Sequence, residues 1–191
     1  KSLWISYTDL GMVRVAKIDL RGKLRQSDIV LGGTAIGRPY TSGSFSVGGK
    51  GRLAYTLGRD DRPADVALMR PGKTPLKLTD LNGDLMGQRQ MTRAERITWP
   101  SSHDAMMIEG WVMKPPGFDP AKSYPMILEI HGGPHSAYGP NYSTEAQLFA
   151  AAGYVVLYTN PRGSTSYGEQ FANEIDLAYP GFDYDDLISG V

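Results

Sequence analysis

The 191-residue sequence contains no cysteine, which removes disulfides and thiolate metal sites from consideration. The compartment stays open, because many exported proteins also lack cysteine. Charge of one sign is missing too: Lys and Arg number 20 against 20 Asp and Glu, for a net charge of zero. Nothing here grips a polyanion, so neither nucleic acid nor an anionic membrane surface is an expected partner. Long hydrophobic runs are absent: the longest, residues 148–158, is interrupted by Gly153 and falls far short of the roughly 20 residues that span a bilayer. The chain starts at Lys1 without an initiator Met and enters a strand-like run at once. The N-terminus therefore reads as cut, with any targeting segment expected upstream. What is present is an ordinary globular balance, 41% hydrophobic and 21% charged, enough to fill a core.

Two kinds of patterning divide the chain. Up to about Arg93, short β-type runs (residues 3–7, 13–20, 44–47, 53–57, 66–70 and 76–78) alternate with Gly, Asp and Pro clusters, which predicts antiparallel sheet. Gly48-Gly49-Lys50-Gly51 and Pro71-Gly72-Lys73 sit where hairpin turns belong. Four-stranded units of this kind suggest propeller blades, about two at most, although no clear internal repeat is visible. After Arg93 the pattern becomes α/β. Strand candidates at 96–98 and 106–114 precede an apolar run at 126–130, flanked by Pro125 and Gly132, that suits a strand buried on both faces of a parallel sheet. Residues 144–152 favour a helix closed by Gly153, and residues 154–159 supply the next buried strand. This is one β-loop-α-β unit, and ligands bind at the carboxyl ends of strands in such sheets.

The loop at that point is His131-Gly132-Gly133-Pro134-His135. Two glycines directly after a strand let the backbone turn sharply and present N–H groups outward with no Cβ in the way. Outward amides stabilise the negative charge that acyl transfer builds on a carbonyl oxygen. The competing reading is a tight Gly-Gly-Pro turn with no chemistry.

Ile127-Leu128-Glu129-Ile130-His131-Gly132-Gly133-Pro134-His135, then Phe149-Ala150, Gly153-Tyr154-Val155-Val156-Leu157 and Asn160-Pro161-Arg162-Gly163-Ser164-Thr165, together resemble the prolyl oligopeptidase family of serine peptidases, in its acylaminoacyl peptidase and dipeptidyl aminopeptidase branch. The resemblance is close from about Glu95 to Val191, and pieces upstream look like the end of that family's β-propeller. It implies residues 1–94 as the C-terminal part of a propeller and residues 95–191 as the N-terminal part of an α/β-hydrolase peptidase domain. It also implies hydrolysis of short peptides through an acyl-enzyme, with no cofactor. The oxyanion donor falls on the N–H of Gly133, with the second donor supplied by the residue after the nucleophile. His131 stands where relatives place an oxyanion-binding tyrosine, and ranks below Gly133. The expected partners are a peptide substrate and the remainder of the same enzyme: its C-terminal hydrolase half and other propeller blades. The same scaffold also accommodates ester or isopeptide substrates, or a non-catalytic scaffold piece.

Two departures stand out. Relatives continue Asn-Pro-Arg-Gly-Ser-Thr with Gly-Tyr-Gly, whereas Ser166 precedes Tyr167-Gly168 here. The common Trp-Gly is replaced by Tyr179-Pro180-Gly181-Phe182. Both positions lie in loops, so substrate-side variation is expected. No Gly-x-Ser-x-Gly elbow occurs, which leaves Ser164 and Ser166 poor nucleophile candidates and places the triad downstream. The chain is accordingly expected to be complemented by the remainder of the enzyme, with the strand at 126–130 lacking a neighbour. His131 and His135 are four apart, but the intervening Gly-Gly-Pro forbids the helix that a metal pair would need. His103, in Ser101-Ser102-His103-Asp104, reads as a surface turn. Asp183 reads as a helix cap, with Asp185 and Asp186 favouring the positive end of that helix rather than binding calcium.

Overall fold

The computed structural model describes residues 2–191. Strands β1 (Ser2–Asp9), β2 (Met12–Asp19) and β3 (Leu24–Leu31) form a three-stranded antiparallel meander. A second meander joins β4 (Phe45–Val47), β5 (Leu53–Arg59), β6 (Arg62–Met69) and β7 (Leu76–Lys77) in sequence order. The Gly-rich segment at 48–51 and the Pro-Gly-Lys segment at 71–73 make the two hairpin connections expected of them. Alternation holds these sheets together: Val13, Val15, Ile29, Leu31, Leu53, Tyr55 and Ala67 point inward from both and form one apolar cluster. β3 is the strand that the sequence pattern misses. Its residues Leu24 to Asp28 are exposed or half-buried, and only Ile29 and Leu31 alternate inward.

A short helix, α1 (Gly83–Met86), leads into the second region. There β8 (Ala94–Pro100) and β9 (Met107–Met113) pair as a hairpin. β10 (Met126–Glu129), α2 (Thr144–Ala151) and β11 (Val155–Asn160) follow, with β10 and β11 parallel. The sheet order β10-β11-β9-β8 places β11 centrally, and Val156, Leu157, Tyr158, Thr159 and Asn160 are all buried. The sequence expectation for β10 needs correction. Met126 and Ile130 are exposed and Ile127, Leu128 and Glu129 half-buried, because β10 stands at the edge of the sheet with β11 as its one neighbour among the described residues. Helix α2 begins where expected: the Ser143 side chain accepts from the Ala146 N–H, a cap contributing about 1 kcal/mol. α3 (Glu169–Asn173) and α4 (Asp183–Ile188) close the chain. No helix among the described residues is long and apolar enough to cross a membrane.

The two regions interlock. The β1–β2 turn, Leu10 and Gly11, inserts so closely that a Cβ on Gly139 would sit 1.9 Å from the Gly11 carbonyl. Tyr40 bridges to Tyr138, and the Thr144 N–H donates to the Ile36 carbonyl at 2.8 Å. At the other end, the buried Gln147 amide ties α2 to the connecting segment. It accepts from the Thr92 N–H and donates to the carbonyls of Thr92 and Asp60.

Candidate functional site

Because β10 and β11 run parallel, their carboxyl ends open on the same side, and the segments that leave them lie next to each other. Residues 131–136 leave β10 and residues 161–168 leave β11. Three contacts join them in step. His131 Nε2 lies 3.0 Å from Ser164 Oγ, His135 Nδ1 lies 3.2 Å from the Gly163 carbonyl, and the Thr165 N–H donates to the Ser136 carbonyl at 2.8 Å.

Gly132 and Gly133 are exposed at the crest of the first loop. Gly133 has φ +139, a conformation that side chains resist, and a Cβ there would press on His135 N and Ser136 Cβ at 3.2 Å. Neither glycine N–H donates a hydrogen bond among the described residues. Exposed, fixed N–H groups at a strand's carboxyl end are able to receive a developing anion.

His131 is buried, and burial holds its pKa below the ordinary imidazole value against a contact with the Gly132 carbonyl that favours the charged form. Ser164 Oγ donates to the Pro161 carbonyl at 2.6 Å and faces the imidazole edge of His131 at Nε2. Ser164 is almost fully enclosed with its proton committed to a carbonyl, the reverse of an exposed, base-activated nucleophile. The Tyr138 ring meets His131 edge-on at 5.1 Å, and Tyr40 adds a second wall at 6.5 Å. Arg38 crosses from the first region to pair with Glu129 at 3.1 Å and Glu145 at 3.0 Å. Glu129 foremost, then Glu145, raise its pKa.

Buried polar groups fix the second loop. Asn160 Oδ1 accepts from the Tyr138 N–H at 2.8 Å, while its amide donates to the Tyr138 carbonyl and the Tyr167 hydroxyl. Arg162 donates to Asp186 at 2.8–2.9 Å and to Asp104 at 3.0–3.1 Å. The contact with Arg162 holds the Asp104 carboxyl below the usual range. The roles of Asn160, Arg162 and Gln147 carry no signal in sequence spacing. Each has at least one partner 22 or more residues away.

Several expectations change here. Asp183 is the first residue of α4 rather than its cap, which is Phe182, and its carboxylate accepts from the Gly181 N–H instead. Asp186 lies in the first turn of α4 as expected, and it also serves Arg162 from a fully buried position. Ser166 faces the first region: its Oγ accepts from the Gly11 N–H at 2.8 Å and its carbonyl from the Leu10 N–H at 2.9 Å. Phe182 stacks on His103, which is exposed in its turn as expected. His131 and His135 flank a bend rather than sharing a helix, and no group of three metal-type side chains converges among the described residues. A cavity of about 640 Å³ lies apart from all of this, between residues 85–91 and α2. It is mainly apolar, and the converging polar groups are at the loops instead.

Residues 140–191 match the Prolyl oligopeptidase family (Peptidase_S9). Among curated relatives, the Uncharacterized peptidase YuxL of Bacillus subtilis is 39% identical over 133 residues, which are 70% of this chain and 20% of that protein. Dipeptidyl-peptidase 5 of Schizosaccharomyces pombe is 39% identical over 102 residues, 52% of this chain and 15% of that protein. The chain thus spans a fifth or less of the length of these relatives. Among solved structures, the acylaminoacyl peptidase of Pyrococcus horikoshii superposes with a TM-score of 0.82 at 28% identity, covering 99% of this chain and 28% of that one. A loop of glycines at the end of a parallel strand, a polar brace beneath it and these likenesses converge on a resemblance to the prolyl oligopeptidase family of serine peptidases.

Proposed function

We propose that the chain is part of a serine-type peptidase that hydrolyses short peptides through an acyl-enzyme, and that it supplies the N–H of Gly133 to the oxyanion. The observation that carries this reading is the Gly132-Gly133 turn: exposed, held at φ +139, and presenting amides with no protein acceptor among the described residues. A fixed donor of this kind lowers the barrier by about 3–4 kcal/mol. His131 plays the lesser part, because its Nε2 is turned inward to Ser164. The triad and the second oxyanion donor belong to the remainder of the enzyme. In this reading residues 1–94, with their two meanders, are the end of a β-propeller, and residues 95–191 open the α/β-hydrolase domain. The free edge of β10 receives the strand that carries the nucleophile. The likeness to proteins named dipeptidyl-peptidase 5 and acylaminoacyl peptidase supports peptides over esters as the substrate class.

The test is fluorophosphonate labelling of the intact protein, followed by a panel of free aminoacyl, blocked aminoacyl and ester substrates. Labelling with preference for the peptide series is expected. An intact protein that takes no label is not a serine hydrolase, and one that turns over esters alone is a hydrolase of another bond.

A further inference from the structure

The brace beneath the candidate oxyanion loop has no catalytic assignment, and its geometry is unusually specific. Ser164 is almost completely enclosed, as is His131 above it. The serine proton goes to the Pro161 carbonyl, 2.6 Å away, and its Oγ faces His131 Nε2 at 3.0 Å. Ser164 therefore fixes where the plane of the His131 ring lies. The ring bears directly on the loop: Nδ1 sits 3.1 Å from the carbonyl of Gly132, which belongs to the same peptide unit as the Gly133 N–H. Rotating the ring displaces that carbonyl, and the Gly133 N–H must turn with it, because the peptide is planar. The neighbouring contacts from Gly163 to His135 and from Thr165 to Ser136 clamp the far side of the loop, so the Gly132–Gly133 peptide is the part that Ser164 controls.

We infer that Ser164 is a positioning residue for the oxyanion loop, acting through His131 to aim the Gly133 N–H. The inference rests on the peptidase reading above and adds a residue to it. An oxyanion donor works only when it is held in place before the charge develops, and a displacement of about 1 Å can cost up to about 100-fold in rate. A serine serving only to fill the core would affect stability and leave the ratio of kcat to KM effects unconstrained.

The experiment uses the intact enzyme and three variants. Ser164→Ala removes both hydrogen bonds. Ser164→Cys keeps the volume with a far weaker hydrogen-bonding group, so it stays folded if the alanine variant does not. Ser164→Thr restores the hydroxyl. Fluorophosphonate labelling rate, kcat and KM on one peptide substrate, and the melting temperature are measured for each. The expected result is a fall of about 10- to 100-fold in kcat and in labelling rate for the alanine and cysteine variants, with KM within about twofold and recovery in the threonine variant. Full kcat in a folded cysteine variant overturns the inference, as does a loss that appears in KM alone. If the unaltered enzyme takes no label, the peptidase reading itself fails and this inference falls with it. Labelling by the unaltered enzyme at the same rate as by the cysteine variant removes the inference and leaves the reading standing.

Discussion

Residues 2–93 bury one charged or polar side chain among those described, Asp65, whereas residues 94–191 bury eleven. The first region is assembled from successive hairpins around an apolar cluster. The second joins strands that are distant in sequence, and it spends its interior on Asn160, Arg162, Ser164, Gln147 and Asp186. Apolar packing is tolerant of exchange, but a buried polar group is committed to particular partners. The difference therefore marks where position is specified: in the loops at the carboxyl ends of β10 and β11 and in the ties that hold them.

Breaking the polar interior should separate the two regions most sharply at Arg162. Asp186→Ala leaves the Arg162 guanidinium with Asp104 and a long contact to Ser101 Oγ, and losing one partner of a buried pair costs about 3–5 kcal/mol. Urea unfolding of the intact protein should show that loss, while a change under about 1 kcal/mol would mean that the pair behaves as an exposed one. Gln147→Leu comes next. It strands the Thr92 N–H and the carbonyls of Thr92 and Asp60 where α2 meets the connecting segment. The expected cost is about 1–3 kcal/mol, visible as a lowered melting temperature, and an unchanged melting temperature would show that the tie is dispensable.

The pH response sharpens the comparison further. Burial depresses the His131 pKa, so the unfolded chain binds the proton before the folded one does. The stability associated with neutral His131 is complete above about pH 6.5. It is lost as pH falls through the lower folded-state value. His131→Gln should flatten that part of the stability profile, and an identical profile would place the titration elsewhere. The smallest effect is expected at Ser166→Gly. Ser166 holds φ +84, which glycine adopts freely, while the Gly11 N–H loses its side-chain acceptor. The two changes oppose each other and should leave stability within about 1 kcal/mol. A larger loss would show that the contact between the regions depends on this one hydroxyl.

Much of the fold was legible because it repeats local rules. The hairpins at 48–51 and 71–73, the helix beginning at Thr144 and the parallel pair β10–β11 all follow from turn chemistry, helix propensity and apolar runs. β3 escaped because its first five residues face outward or sit half-buried and show no alternation. The candidate loop was legible from Gly132-Gly133. The brace was not, since Ser164 lies 33 residues from His131 and Asp186 lies 24 from Arg162, and no spacing rule joins them. The partner of Ser166 escaped for a similar reason: a loop position gives no indication that its neighbour is a turn 155 residues earlier.

The most direct measurement is a structure of the intact protein carrying a fluorophosphonate adduct. The phosphonyl oxygen should lie about 2.7–3.1 Å from the Gly133 nitrogen, with His131 still turned toward Ser164. An adduct whose oxygen is bound elsewhere, with the Gly133 N–H facing solvent, would contradict the assignment of this loop.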